Sequence, residues 1–359
     1  MTAEPIPGWL DALTGRISGL DEAAMAAARE RQANLTKPPG SLGRLEAIAV
    51  HLAGIQSTVQ PRAARSAVIV AAGDHGITEE GVSAYPSAVT AQMVANFLAG
   101  GAAINAIAGV AGARLVVADF GVAADLDPHP ALVAAKVARG TANFARGPAM
   151  TRDQAAAAVQ AGARIVATEH ERGLDVLALG EMGIGNTTAA AALTAVLTGA
   201  PPAAVTGRGT GLDDAALAHK VKVVEAALAR HRLTRDDPFA ALVAVGGFEI
   251  AGLVGAILEA AARRVAVVLD GFITGAAALV AVGMAPATRG FLVASHRSVE
   301  PGHGILLDAL GLDPLFDLQL RLGEGSGAAL ALPLIAAAVA AHNQMATFAE
   351  ARVSGRGEG

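Results

Sequence analysis

The chain contains no cysteine. That excludes disulfides and thiolate metal sites and leaves the redox compartment open. Aromatic residues are scarce, with one Trp, one Tyr and nine Phe in 359 residues, and no basic block stands against the net charge of −5. Lacking both a cationic footprint and a set of stacking aromatics, the chain is not expected to bind nucleic acid. The opening MTAEPIPGWLDALTGR has no basic stretch followed by an apolar one, so no signal peptide is expected there. The apolar runs are rich in Ala and Gly and are interrupted, by Glu249 and Glu259 in one, Asp270 in another and Pro333 in the last. None is expected to supply the roughly 20 uncharged residues of a membrane span. A cytoplasmic protein with a small-residue core is the resulting expectation, despite a mean hydropathy of +0.47.

What is present is an alternation. SAVIVAA (66–72), RLVVADF (114–120), DVLALG (175–180), RVAVVLD (264–270) and GFLVAS (290–295) read as strands apolar on both faces. Helix-length segments lie between them, such as 86–99, 153–170, 187–198, 213–231 and 249–262. This pattern predicts an α/β fold with a Rossmann-like, mostly parallel sheet flanked by helices. Before residue 60 there is no strand, only helix, the loop LTKPPGS and an amphipathic helix over 42–56, and the last 35 residues are helical in pattern. Residues 1–60 plus 325–359 are therefore expected to form a small helical subdomain beside a large nucleotide-binding domain, 61–324. The terminal VSGRGEG reads as a frayed tail.

Four of the five strands run directly into polar or glycine-rich sequence: GDHGIT, GEMGIGNTT, DGFITG and SHRSVEPGHG. Ligands of open parallel sheets bind outside the carboxyl ends of the strands, so the active site is expected there. In GEMGIGNTT, Gly183 and Gly185 free backbone N–H groups toward a ligand, and the helix beginning near Asn186 turns its positive end to an anion. Glu181 would repel phosphate in that turn. A sugar hydroxyl or a base N–H suits it better, and a plain capped turn remains open. TGRGTGLDDAALAHK offers Arg208 and Gly209 in a glycine loop with Lys220 one helix later, which fits either a phosphate loop or a flexible linker. Of Lys220 and Lys222, one is expected at the ligand and one in solvent. His75, His296 and His303 match no zinc spacing and read as hydrogen-bonded loop residues. The pairs Asp213–Asp214 and Asp236–Asp237 read as turns or helix starts. Lys37 and Arg44 in LTKPPGSLGRLE belong to a rigid turn or close over an anionic substrate. In LRLGEGSGAAL, Glu324 stands alone among Gly323, Gly325 and Gly327, either as the acid of a helix-capping turn or as a functional carboxylate in a close-fitting pocket.

Taken together and in order, LTKPPGSLGRLE, AAGDHGITEEGVSAYPSAVTAQMVANF, GEMGIGNTT, TGRGTG, VLDGFITGAAAL, SHRSVEPGH and LRLGEGSGAALALPL resemble the nicotinate-nucleotide:dimethylbenzimidazole phosphoribosyltransferases over residues 35–335. The resemblance implies transfer of phosphoribose from nicotinate mononucleotide to 5,6-dimethylbenzimidazole, with inversion at C1, in a homodimeric enzyme of cobalamin synthesis that has neither cofactor nor metal. It makes Glu324 the catalytic base. It places Glu181, Lys220, Asp270 and Ser298 with the glycine turns against the nucleotide, and Ser83, Tyr85 and Gln92 at the base pocket. Two rivals stay open: a phosphoribosyltransferase with a pyrophosphorylated donor, which needs adjacent strand-end acids for metal, and a non-catalytic nucleotide-binding protein on the same scaffold.

Overall fold

The computed structural model describes residues 6–354; most of the expected terminal tail, 355–359, lies outside them. Six strands, β1 (Ser66–Gly73), β2 (Arg114–Gly121), β3 (Leu132–Ala134), β4 (Val176–Met182), β5 (Ala266–Leu269) and β6 (Leu292–Ala294), form one sheet in the order β3-β2-β1-β4-β5-β6. Every pairing is parallel. All eight residues of β1 are buried, because helices cover both faces of a parallel sheet, and this explains the unbroken apolar strands. The chain reverses direction across the sheet between β1 and β4, which creates the crevice where such folds take ligands.

Small residues let the covering helices approach closely. A Cβ at Gly162, in helix Arg152–Glu171, would strike the backbone carbonyl of Gly252, and one at Gly255 would strike that of Val159. These two helices pack backbone to backbone, so the Ala/Gly-rich composition is a packing requirement.

Two apolar stretches do reach spanning length, Ala88–Ala111 and Ser326–Gln344, against the expectation of none. The first carries no charge but folds as two helices, Ala88–Ala99 and Ala103–Ala111, parted where Gly100 takes φ 80°. The second contains Pro333 and packs against helices Arg44–Gln56 and Ala103–Ala111 and against β4.

The chain ends are knit together. Leu35 bridges to Thr347, Arg31 donates to the carbonyls of His342, Asn343 and Met345, and buried Gln32 bonds His342 at 2.9 Å. On these contacts we propose the division into a helical unit, 1–60 with 325–359, and an α/β unit, 61–324. Helix Ser326–Gln344 serves both, since its first turn reaches the sheet.

Candidate active site

A cavity of 690 Å³ opens at the carboxyl ends of β4, β5 and β6 and is lined from the loops that follow them. It brings together Ser83, Tyr85, Glu181, Gly183, Gly185, Asn186, Gly209, Asp270, Ser298 and Glu324. Segments far apart in sequence thus meet where the topology predicts a ligand.

One wall is acidic. Glu181, near the end of β4, is buried and accepts from the Asn186 side-chain amide. Burial pushes it up to about 8; the charges of Asp270, Glu249 and Glu324 act in the same direction, and the Asn186 bond opposes them. Asp270 follows β5 and collects backbone donors: Oδ1 accepts from Gly327 N at 2.7 Å and Ala328 N at 3.1 Å, and Oδ2 from Gly325 N at 3.2 Å. It is the N-terminal cap of helix Ser326–Gln344. Burial raises it to about 7 against the pull of those donors.

Glu324 sits in a run of left-handed residues, φ 85° at Gly323, 62° at Glu324 and 85° at Gly325. For a non-glycine residue that geometry costs on the order of 1 kcal/mol and persists only where the surroundings impose it. The imposing contact is β4. Glu324 N donates to the Glu181 carbonyl at 3.2 Å, and the backbone at Glu324–Gly325 lies so close to Gly180 that a Cβ there would overlap it. Among the described residues the Glu324 carboxylate has a single, long hydrogen bond, from Ile104 N at 3.4 Å at the start of helix Ala103–Ala111. Burial raises its affinity for a proton, with that N–H opposing. The helix-capping role open to Glu324 in the sequence therefore belongs to Asp270, and Glu324 is left available to exchange a proton.

The other wall suits an anion. Gly185 takes φ 96° as the cap residue of helix Asn186–Thr198, whose first residues, Asn186 and Thr187, line the cavity. Lys220 is fully buried behind this wall and donates to Thr187 Oγ1 at 2.8 Å and the Gly207 carbonyl at 3.2 Å. Burial lowers it to about 8, and the Glu300 carboxylate partly restores it. Lys222 is exposed.

Two expected contacts are corrected. Arg208 turns away from the cavity to pair with Asp214 and to donate to the Leu212 carbonyl at 2.8 Å, because the adjoining helix start supplies a nearer carboxylate. Gln92 is exposed on helix Ala88–Ala99, and its neighbour Met93 faces the cavity. The turn carrying Lys37 and Arg44 is structural here: Lys37 lies 2.8 Å from Glu46, and Arg44 donates to the carbonyls of Pro314 and Asp313 at 2.5 and 2.8 Å. The paired acids mark helix starts, with Asp213 and Asp237 accepting from Ala216 N and Ala240 N. The histidines are hydrogen-bonded: His75 to Glu249 at 2.6 Å, His296 to Ser295 Oγ at 2.9 Å, and His303 from Ser298 N at 2.9 Å.

Sequence reasoning missed Thr187, Glu249 and Glu300. Glu300 follows a strand inside SHRSVEPGHG and was open to recognition there. Glu249 lies within an apolar helix and pairs with a histidine 174 positions away, so no local signal marks it.

A glycine-capped helix start facing buried carboxylates, at the carboxyl edge of a parallel sheet, is the arrangement of an α/β enzyme that acts on a small molecule. Residues 17–353 match the family model DBI_PRT, a phosphoribosyltransferase family, and the chain belongs to that family. It is 57% identical over 343 residues to the nicotinate-nucleotide–dimethylbenzimidazole phosphoribosyltransferase of Roseiflexus sp. (strain RS-1), covering 96% of this chain and 97% of that one. The protein of the same name from Deinococcus radiodurans is 55% identical over 351 residues, with 96% of each covered. The crystal structure of CobT from Thermus thermophilus superimposes with a TM-score of 0.89 at 51% identity, over 92% of this chain and 99% of that one.

Proposed function

We propose that this enzyme transfers the 5-phosphoribosyl group of nicotinate mononucleotide to 5,6-dimethylbenzimidazole, giving α-ribazole 5′-phosphate and nicotinate for the nucleotide loop of cobalamin. The observation that carries this reading is Glu324: a buried carboxylate of raised proton affinity, held in a strained loop against β4, with one 3.4 Å contact. The chemistry needs one such group. In nicotinate mononucleotide the leaving group is already a pyridinium and departs with its bonding electrons unaided. The incoming benzimidazole attacks C1 through one ring nitrogen and must lose the proton on the other. Glu324 takes that proton, its raised proton affinity matching the task. Attack from the face opposite the leaving group inverts C1 from β to α.

The other residues hold the donor. The start of helix Asn186–Thr198 and the Gly207–Gly209 loop, with Lys220 behind them, receive the phosphate, and Ser298 stands beside them. Glu181, protonated near neutrality by its surroundings, has an O–H to donate to the ribose. Asp270 fixes the loop that carries Glu324. Ser83 and Tyr85, linked by the 3.1 Å bond from Ser83 Oγ to the Tyr85 carbonyl, border the base. The working form we propose is a cytoplasmic homodimer. Leu330 and Leu334 on helix Ser326–Gln344 and Val110 on helix Ala103–Ala111 are exposed apolar side chains on two helices that pack together, which supports burial against a second copy.

The deciding experiment supplies the purified protein with nicotinate mononucleotide and dimethylbenzimidazole and follows both products. Equimolar nicotinate and α-ribazole 5′-phosphate, formed also after chelation, are expected. Turnover that requires a pyrophosphorylated donor and Mg²⁺ would select the first rival, and binding without turnover the second.

A further inference from the structure

Glu300 has no role in the reaction as derived so far, yet its carboxylate lies in the anion-binding wall. Oε1 accepts from Gly209 N at 3.0 Å. Oε2 is shielded from solvent and has no hydrogen-bond partner among the described residues. The carboxylate is pressed so closely on the loop that a Cβ at Gly207 would overlap it. On the far side of the same loop, the Lys220 ammonium donates to the Gly207 carbonyl. A carboxylate therefore occupies a backbone donor of the loop that, on the reading above, receives the substrate phosphate. Glu300 is also the residue preceding helix Pro301–Leu310, a position whose acid ordinarily accepts from the first turn of its own helix, and it makes no such bond.

We infer that Glu300 is an internal stand-in for the 5′-phosphate: it fills the Gly207–Gly209 cradle until the nucleotide's phosphate displaces it, and it returns as product leaves. Two anions cannot share one cradle without several-fold loss of affinity. The exchange costs every phosphate the same free energy and leaves the ratio of affinities unchanged. It keeps the cradle from being filled by free phosphate, which has no ribose and base contacts to offset the cost, and it favours product release.

The test is calorimetric titration of the full-length protein with inorganic phosphate, comparing wild type, Glu300→Gln, Glu300→Asp and Lys220→Met, with thermal midpoints as a check on folding. Glutamine removes the charge, and aspartate keeps it but falls short of Gly209. Phosphate affinity is expected to rise about five- to thirty-fold in both Glu300 variants and to fall in Lys220→Met. Unchanged or weaker binding in both Glu300 variants, with Lys220→Met still impaired, overturns the exchange and leaves the phosphate cradle standing. Phosphate binding indifferent to Lys220→Met overturns the cradle reading, and the exchange with it.

Discussion

The two walls of the cavity keep their charges in opposite ways. On the Gly207–Gly209 side the cation is hidden: Lys220 is buried and its ammonium is spent on a hydroxyl and a carbonyl. Its positive field reaches the cavity through the loop and the helix start. On the other side the carboxylates themselves line the cavity, and among the described residues neither Glu181 nor Glu324 has an ion-pair partner. A buried charge without a partner shifts its pKa toward the neutral form, and both acids move that way. The two walls thus differ in placement: one keeps its cation behind the backbone, and the other presents carboxylates of raised proton affinity to the cavity. Chemistry that moves one proton while holding one phosphate uses both, an acid within reach of the reacting atoms and a cation set back from them.

The contrast breaks most directly at Glu324. Glu324→Gln keeps the volume and most hydrogen bonding but cannot take up a proton. Loss of a positioned general base costs about 10²–10⁴-fold, so kcat should fall in that range while nucleotide affinity stays within a few-fold and the thermal midpoint holds. Near-wild-type turnover with lowered stability would make Glu324 only a turn residue.

Lys220→Ala should do the reverse. Its charge-assisted bonds hold the loop and helix start that receive the phosphate and contribute about 1.5–3 kcal/mol, so kcat/KM for the nucleotide should drop roughly one to two decades and affinity for the free base should hardly move. Steady-state kinetics varying each substrate separate the effects. An equal loss in Lys222→Ala would mean that remote charge, not the buried ammonium, steadies the phosphate.

Within the acid wall, Asp270 and Glu324 differ in their donors. Three backbone N–H groups hold Asp270 and one distant N–H holds Glu324. Asp270→Ala strands buried donors at the start of helix Ser326–Gln344, at a cost of about 1–3 kcal/mol. Denaturant unfolding should show that loss. Unaltered stability would remove Asp270 from its capping role.

These differences set what the sequence could disclose. Five strands were legible because parallel strands covered on both faces are apolar throughout. The edge strand Leu132–Ala134 was not, being three residues long amid DPHPALVAAK. Glu324 was legible because glycines flanked it, and Lys220 because a glycine loop preceded it. The cap made by Asp270 spans at least 55 positions to the N–H groups it serves, and long-range capping leaves no spacing to read. Arg208 misleads for the opposite reason: its partner Asp214 is local, and a cation in a glycine loop looks the same in sequence whether it faces the ligand or its own helix.

The smallest effect concerns Glu181 and pH. Its proton affinity in the fold, about 8, exceeds the ordinary carboxyl value of 4.5. The folded protein therefore binds that proton more tightly than the unfolded chain does. Stability from this source is complete below about pH 4.5 and is lost as pH rises through about 8. Asp270, raised to about 7, has the same sign and remains in a Glu181 variant. Glu181→Gln removes only its own contribution, while those of Asp270 and Glu324, and that of Lys220 with the opposite sign, remain, so the decline in urea midpoint between about pH 6 and about pH 8.5 should become shallower. Glutamine also retains an N–H donor where neutral Glu181 has its O–H, so donor binding near neutrality should change little while its alkaline decline is reduced. If wild type and Glu181→Gln lose stability in parallel over that range, Glu181 is ionised in the fold and has no O–H to offer the ribose.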